Sequence, residues 1–271
     1  MGTVRLEGRA AISSGSVIAI YLYCLVKSAR RPSMIHVPSG LPGASRPEAV
    51  DASGGLWLVV AEAPLDTYGS GQLEQHLSDM DWVGRIALAH EEVVEVFARR
   101  KSATVIPMKL FTMFSTRQRA VADVAGRRRS INAAMRRIAG ADEWGVRITR
   151  GAPAAAPPLE RPRTGAAFLA ARKQARDAVH GARMAAAEAA HDAFERLARL
   201  ARRARRRDFD DTGGGTPPLL DAVFLVARSH RSRFTLATRR HAAACASAGA
   251  VMTVTGPWPA YNFVQDDEHG Q

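Results

Sequence analysis

Cysteine is nearly missing from this sequence: Cys24 and Cys245 are the only two in 271 residues. That excludes a disulfide framework. Each lies inside an apolar run, where it reads as a small buried hydrophobe. Such usage points to a reducing, cytoplasmic setting. Long hydrophobic runs are scarce too. The longest, Ser16–Val26, has the length of a strand and is too short to cross a bilayer as a helix. Tyr21, Tyr23 and Cys24 make a poor signal-peptide core, and no small-x-small cleavage site follows it. Leu6 stands where a myristoylation signal needs Ser or Thr. A soluble protein is expected.

Lysine is rare as well, with Lys27, Lys101, Lys109 and Lys173 the whole set, so arginine carries most of the net charge of +12. An Arg- and Ala-heavy chain can follow from GC-rich coding, and charge alone names no ligand. Catalytic signatures are absent: there is no GxSxG, GxGxxG, GxxxxGK[ST] or CxxC, and the histidines show no metal-ligand spacing. His90-Glu91-Glu92 is the one acid/base cluster worth testing. Successive helix positions point in different directions, so a surface or half-buried role fits it better than catalysis. No enzyme, cofactor or metal is expected.

What is present suffices for packed cores, since 46% of residues are hydrophobic and the length suits two modest domains. Residues 1–15 read as a flexible tail and 16–150 as an α+β domain, its mixed sheet carrying helices on one face. Strands are expected at Val17–Val26, Leu56–Ala61, Thr104–Ile106, Leu110–Phe114 and Trp144–Ile148. Amphipathic helices are expected over 71–100, with Asp81 as a cap, and over 117–139. The Pro/Ala-rich stretch 151–163 reads as a stiff linker. A second domain, 164–264, opens on the longest helix, read as running to about 206. Its stripe Phe168, Ala171, Ala175, Val179, Ala182, Ala186, Ala190, Ala193, Leu197, Leu200, Ala204 keeps the α-helical period. Gly213–Gly215 marks a flexible loop, strands at Leu219–Ala227 and Ala250–Thr255 flank a helix over Ser232–Ser247, and 265–271 is a polar tail.

Two segments are candidates for contact with partners. Between Arg161 and Arg207, 13 basic residues face 4 acidic ones, a net of +9. Arg199, Arg202, Arg203 and Arg206 fall at the densest end. A solvated face, a dock for an acidic partner and a phosphate track all fit, although no aromatics interleave as in nucleic-acid binders. The other segment is Thr255–Phe263, TGPWPAYNF. Its prolines make a rigid strap that either folds back over the sheet or presents Trp258, Tyr261 and Phe263 as an aromatic anchor.

That strap resembles the TGPWPPYxF-like ending of the GvpF/GvpL family of gas vesicle proteins. Other motifs match in order. Tyr21–Val26 resembles the family's opening YxYG-like strand, Gly40–Gly43 its turn, and Ala89–Val94 its AHExVV helix. Ile106–Phe114 stands at its PLRFGTxF-like stretch, with the family's glycine replaced around Phe111. Glu143–Val146 resembles the strand closing the first domain, and Leu219–Val226 the LLNAAYLV-like strand of the second. The resemblance spans about 17–264. It implies a C-terminal ferredoxin-like domain and a cytoplasmic, non-enzymatic accessory protein. Such a protein would bind the hydrophobic shell protein and other accessory proteins and help vesicle formation begin, with no cofactor, no specific nucleic acid and no membrane. The alternative from another class is a basic nucleic-acid-binding protein.

Overall fold

The expected first strand forms as β1 (Ile18–Lys27), and β2 (Glu48–Asp51) and β3 (Leu56–Pro64) follow it. Next come α1 (Leu65–Tyr68), α2 (Ser70–His76), α3 (Met80–Ala98), β4 (Thr104–Pro107) and β5 (Met113–Phe114). The chain continues with α4 (Arg117–Gly126), α5 (Arg128–Ile138), β6 (Ala141–Arg150) and α6 (Gly165–Ala198). It ends with β7 (Arg203–Arg206), β8 (Leu220–Ala227), α7 (Arg231–Ser247) and β9 (Ala250–Trp258). This computed structural model describes residues 17–151, 164–208 and 217–264. The expected tails, most of the linker and the triple-glycine loop lie outside them. Among the described residues, those up to Phe97 together with Met108–Arg127 form one unit. Ala98–Pro107 and those from Arg128 onward form a second.

In the first unit β1 pairs antiparallel with β3 on one side and with β5 on the other, and β2 pairs with β3. Every β1 residue from Ala19 to Val26 is buried, as its apolar character on both faces demands. The helix expected over 71–100 is two helices. Asp79 Oδ1 accepts from the N–H groups of Asp81 and Trp82 at 3.0 Å, so Asp79 starts α3 and the chain breaks before it. The expected strand Leu110–Phe114 shortens to β5 because Phe111 takes φ 61°. A bulky residue in that left-handed region is strained. Here its ring lies parallel to Trp82, at 7° and 6.0 Å, and its N–H donates to Tyr21 Oη at 3.4 Å. The Phe111 ring is therefore held by stacking.

The helix expected over 117–139 also divides, into α4 and α5 around Arg127, and the boundary between the units falls there. Trp144–Ile148, expected to close the first domain, belongs to β6. That strand pairs antiparallel with β8 along one edge and with β9 along the other. The second unit's sheet thus runs β7-β8-β6-β9. With α6 between β6 and β7 and α7 between β8 and β9, this is the βαββαβ arrangement of a ferredoxin-like fold. Its core joins Trp144, Val146 and Ile148 of β6 to Leu220, Ala222, Phe224 and Val226 of β8. Ala186, Ala190, Ala193 and Leu197 of α6 and Phe234 and Cys245 of α7 pack over them. The α+β class and the ferredoxin-like domain hold; the first strand of that domain lies before the linker.

The long helix stops at Ala198, not near 206. Tight turns from Leu197 to Leu200 and from Ala198 to Ala201 close it. The N–H groups of Arg202 and Arg207 then donate to Leu225 and Asp221, bracketing the β7–β8 ladder. Leu200 and Ala204 fit a helical period, but the sheet edge offered a complete set of backbone partners and won.

Candidate partner-binding surfaces

The strap after β9 is fastened at several points. Gly256 sits at φ 112°, and a Cβ there would lie 2.7 Å from the Glu143 carbonyl oxygen, so only glycine fits. The Glu143 side chain accepts from Asn262, from its N–H at 2.8 Å and its Nδ2 at 2.5 Å. Arg205 donates to the Asn262 carbonyl at 2.6 Å, and Arg137 to the Phe263 carbonyl at 2.9 Å. Burial raises the Glu143 carboxyl above the usual carboxylate range, although the Asn262 bonds and the nearby Arg207 and Arg205 oppose the shift. Glu143→Ala would leave the Asn262 donors without an acceptor. The expected cost is about 2 kcal/mol, with faster amide exchange over 259–264. Unchanged exchange there would show that the arginines hold the strap alone.

Phe263 is therefore no exposed anchor. It is fully buried, with the Arg205 guanidinium over its ring at 5.4 Å. Tyr261 is half-buried, and Trp258 alone of the three aromatics is exposed, at 44%. The strap folds back, as one of the two sequence readings had it.

The basic run is largely engaged inside the fold. Arg202 donates to the Ala139 carbonyl at 2.5 Å. Arg206 lies over the Phe194 ring at 4.2 Å and meets His191 Nδ1 at 3.3 Å. Arg207 pairs with Asp221. Arg199 and Arg203 are exposed, on the turn after α6 and on β7. The expected cationic helix end is thus part helix, part turn and part sheet edge, and its arginines do not line up along one helix face.

A surface that the charge count hid is the first part of α6. Its core-facing stripe begins only at Ala186, and every residue from Gly165 to Ala185 is exposed or, at Ala171, half-buried. That arm would be about 30 Å long at the helical rise. Phe168, Leu169, Val179 and Met184 on it are 51%, 66%, 53% and 58% exposed. The stripe Phe168, Ala175, Val179, Ala182 continues the line of Ala186, Ala190, Ala193 and Leu197, so the helix carries its docking face past the end of its own core.

No reaction centre forms around His90. Its ring is buried against Tyr23, stacked at 5.6 Å, and Tyr21 Oη and His90 Nδ1 share a hydrogen bond at 2.8 Å. Burial lowers its pKa to about 4, with the Met108 backbone a smaller opposing influence. It is a core histidine. Among the described residues no cluster of His, Cys, Asp and Glu could hold a metal ion, and no helix is long and apolar enough to cross a membrane. A cavity in the second unit, lined by Asp142, Arg228 and Pro259 among others, measures about 20 Å³. It has room for about one water.

Comparison with known proteins agrees with these elements. The family model described as gas vesicle synthesis protein GvpL/GvpF matches residues 19–265. Gas vesicle protein L of Streptomyces sp. (strain CB03234) is 25% identical over 269 residues, covering 92% of this chain and 95% of that protein. The crystal structure of GvpF from Anabaena sp. PCC7120 shares the fold, with a TM-score of 0.65 at 14% identity over 94% of this chain and 99% of that one. GvpF from Microcystis aeruginosa gives 0.61 at 12% identity, over 92% and 99%. With the match running through both units, the chain belongs to the gas vesicle synthesis protein GvpL/GvpF family.

Proposed function

We propose that this protein is a non-enzymatic gas vesicle accessory factor, cytoplasmic and vesicle-associated, that binds the hydrophobic shell protein and helps vesicle formation begin. One observation carries the reading: the α6 arm exposes Phe168, Leu169, Val179 and Met184 on a helix anchored at its other end. An exposed apolar surface on a folded chain is suited to hold a subunit that would otherwise aggregate. Alanine at Ala171, Ala175, Ala178 and Ala182 lets another backbone come close. Trp258 and Arg199 are secondary contact candidates. The occupied arginines and the buried His90 weigh against the nucleic-acid and acid/base readings respectively.

The test is co-purification of shell protein with the full chain at low salt. Phe168→Glu with Val179→Glu should reduce recovery about ten-fold or more without changing the circular dichroism, because both positions are exposed. No association at low salt, together with normal vesicles after deletion of the gene, would overturn the proposal. Duplex DNA binding that weakens steeply with salt would favour the rival.

A further inference from the structure

The second unit's sheet has two edges of opposite design. β7 is 4 residues long and carries Arg203, Arg205 and Arg206, the short, charged build that discourages further pairing. β9 is 9 residues long, AVMTVTGPW, and has no charged side chain. Among the described residues it pairs with β6 alone. On its outer side, the backbone N–H and C=O groups over Val251–Thr255 have no partner among the described residues. Val251 is 53% exposed, Thr253 and Thr255 are exposed with it, and Met252 and Val254 are half-buried on the opposite, helix-facing side. Pro257 lacks an N–H and closes the available ladder.

Charge around this edge selects the occupant. α7, which packs against β9, carries Arg233, Arg239 and Arg240 besides Arg231, which pairs with Asp142 at 2.7 Å, and has no Asp or Glu of its own. Arg150 stands beside Ala250 in the register. A second copy of the chain would bring these like charges together, whereas a strand bearing carboxylates would meet them favourably. We propose that β9 is a strand-addition edge that takes up an extended, β-branched segment flanked by carboxylates from a partner protein. Main-chain hydrogen bonds then supply the affinity. Side chains alternating beside Val251, Thr253 and Thr255 on one face and Met252 and Val254 on the other supply the selectivity. This assignment stands independently of the role of the α6 arm.

The experiment uses the full chain and a terminally blocked peptide, Glu-Asp-Val-Thr-Val-Thr-Val-Asp, at millimolar concentration, read by amide hydrogen exchange. Exchange over Val251–Thr255 should slow by about ten-fold or more. The same peptide with alternate amides N-methylated should give no protection, and a version with lysine in place of each acid should protect less. Val251→Glu with Thr253→Glu, at exposed positions, should abolish protection while leaving the fold intact. No slowing with any peptide, equal slowing by the N-methylated one, or stronger protection by the lysine version would overturn the assignment. So would a concentration-dependent dimer in sedimentation that the double variant removes, since the occupant would then be a second copy.

Discussion

Phe224→Ala should destabilise the second unit by about 3–5 kcal/mol, the cost of deleting a buried ring that its neighbours cannot fill. Phe224 is fully buried in β8, between Phe194 of α6 at 5.8 Å and Phe234 of α7 at 5.6 Å. The α6 residues buried in the core include Ala186, Ala190 and Ala193, which bury little area each, so Leu197 and the Phe194–Phe224 contact supply much of the hold. Loss of this anchor should loosen α6 itself. Amide exchange along Ala186–Leu197 should then rise with the global destabilisation, read by urea unfolding followed by circular dichroism. Phe224→Leu, which keeps most of the volume, should cost about 1–1.5 kcal/mol. A loss below about 1 kcal/mol for the alanine variant would mean that the α6 seating does not depend on the aromatic cluster. It would also weaken the case that the exposed arm is held rigidly enough to present a surface.

How far the sequence could be read depended on whether a residue pattern had one physical solution. β1 was legible because a run of β-branched and aromatic residues apolar on both faces can only be a covered central strand. The ferredoxin-like domain was named through resemblance. Its first strand was misplaced because Trp144–Ile148 precedes a proline-rich stretch, and nothing local says which sheet a strand will join. Arg202–Arg207 was ambiguous in itself, since Leu200 and Ala204 continue a helical stripe while Arg203–Arg206 also serve as an edge strand. The α6 periodicity was correct along its length, yet the burial it implied stops at Ala186. Period reports which face is apolar, and only the fold decides whether a partner lies against it. Phe263 shows the same limit: an aromatic on a proline strap reads alike as anchor or as plug, and the Glu143–Asn262 clasp that decides between them joins residues 119 apart.

The buried histidine of the first unit should make that unit acid-labile, by about 3 kcal/mol between about pH 7 and pH 4. Tyr21 Oη accepts from the Phe111 N–H at 3.4 Å and shares a hydrogen bond with His90 Nδ1 at 2.8 Å, and a neutral ring can accept the hydroxyl proton there. Tyr23, whose Oη accepts from the Leu41 N–H at 2.9 Å, stacks on the other side and offers no charge to balance an imidazolium. Burial accordingly lowers the His90 pKa from 6.5 to about 4. Between those values the unfolded chain binds a proton that the folded chain refuses. The stabilising contribution is thus complete above about pH 6.5 and is lost as the pH falls toward 4, at about 1.4 kcal/mol for each unit of difference. Glu143 acts in the opposite sense, because its raised pKa favours the folded state as acid is added. The parent curve is therefore a blend, and the comparison that isolates the histidine is with His90→Gln, which cannot titrate. The stability difference between parent and variant should fall by about 3 kcal/mol in favour of the variant from about pH 7 to pH 4. A difference that stays flat across that interval would mean the ring is protonated within the fold. Tyr21 Oη would then have to accept from both the Phe111 N–H and an imidazolium N–H, leaving its own proton without the His90 acceptor.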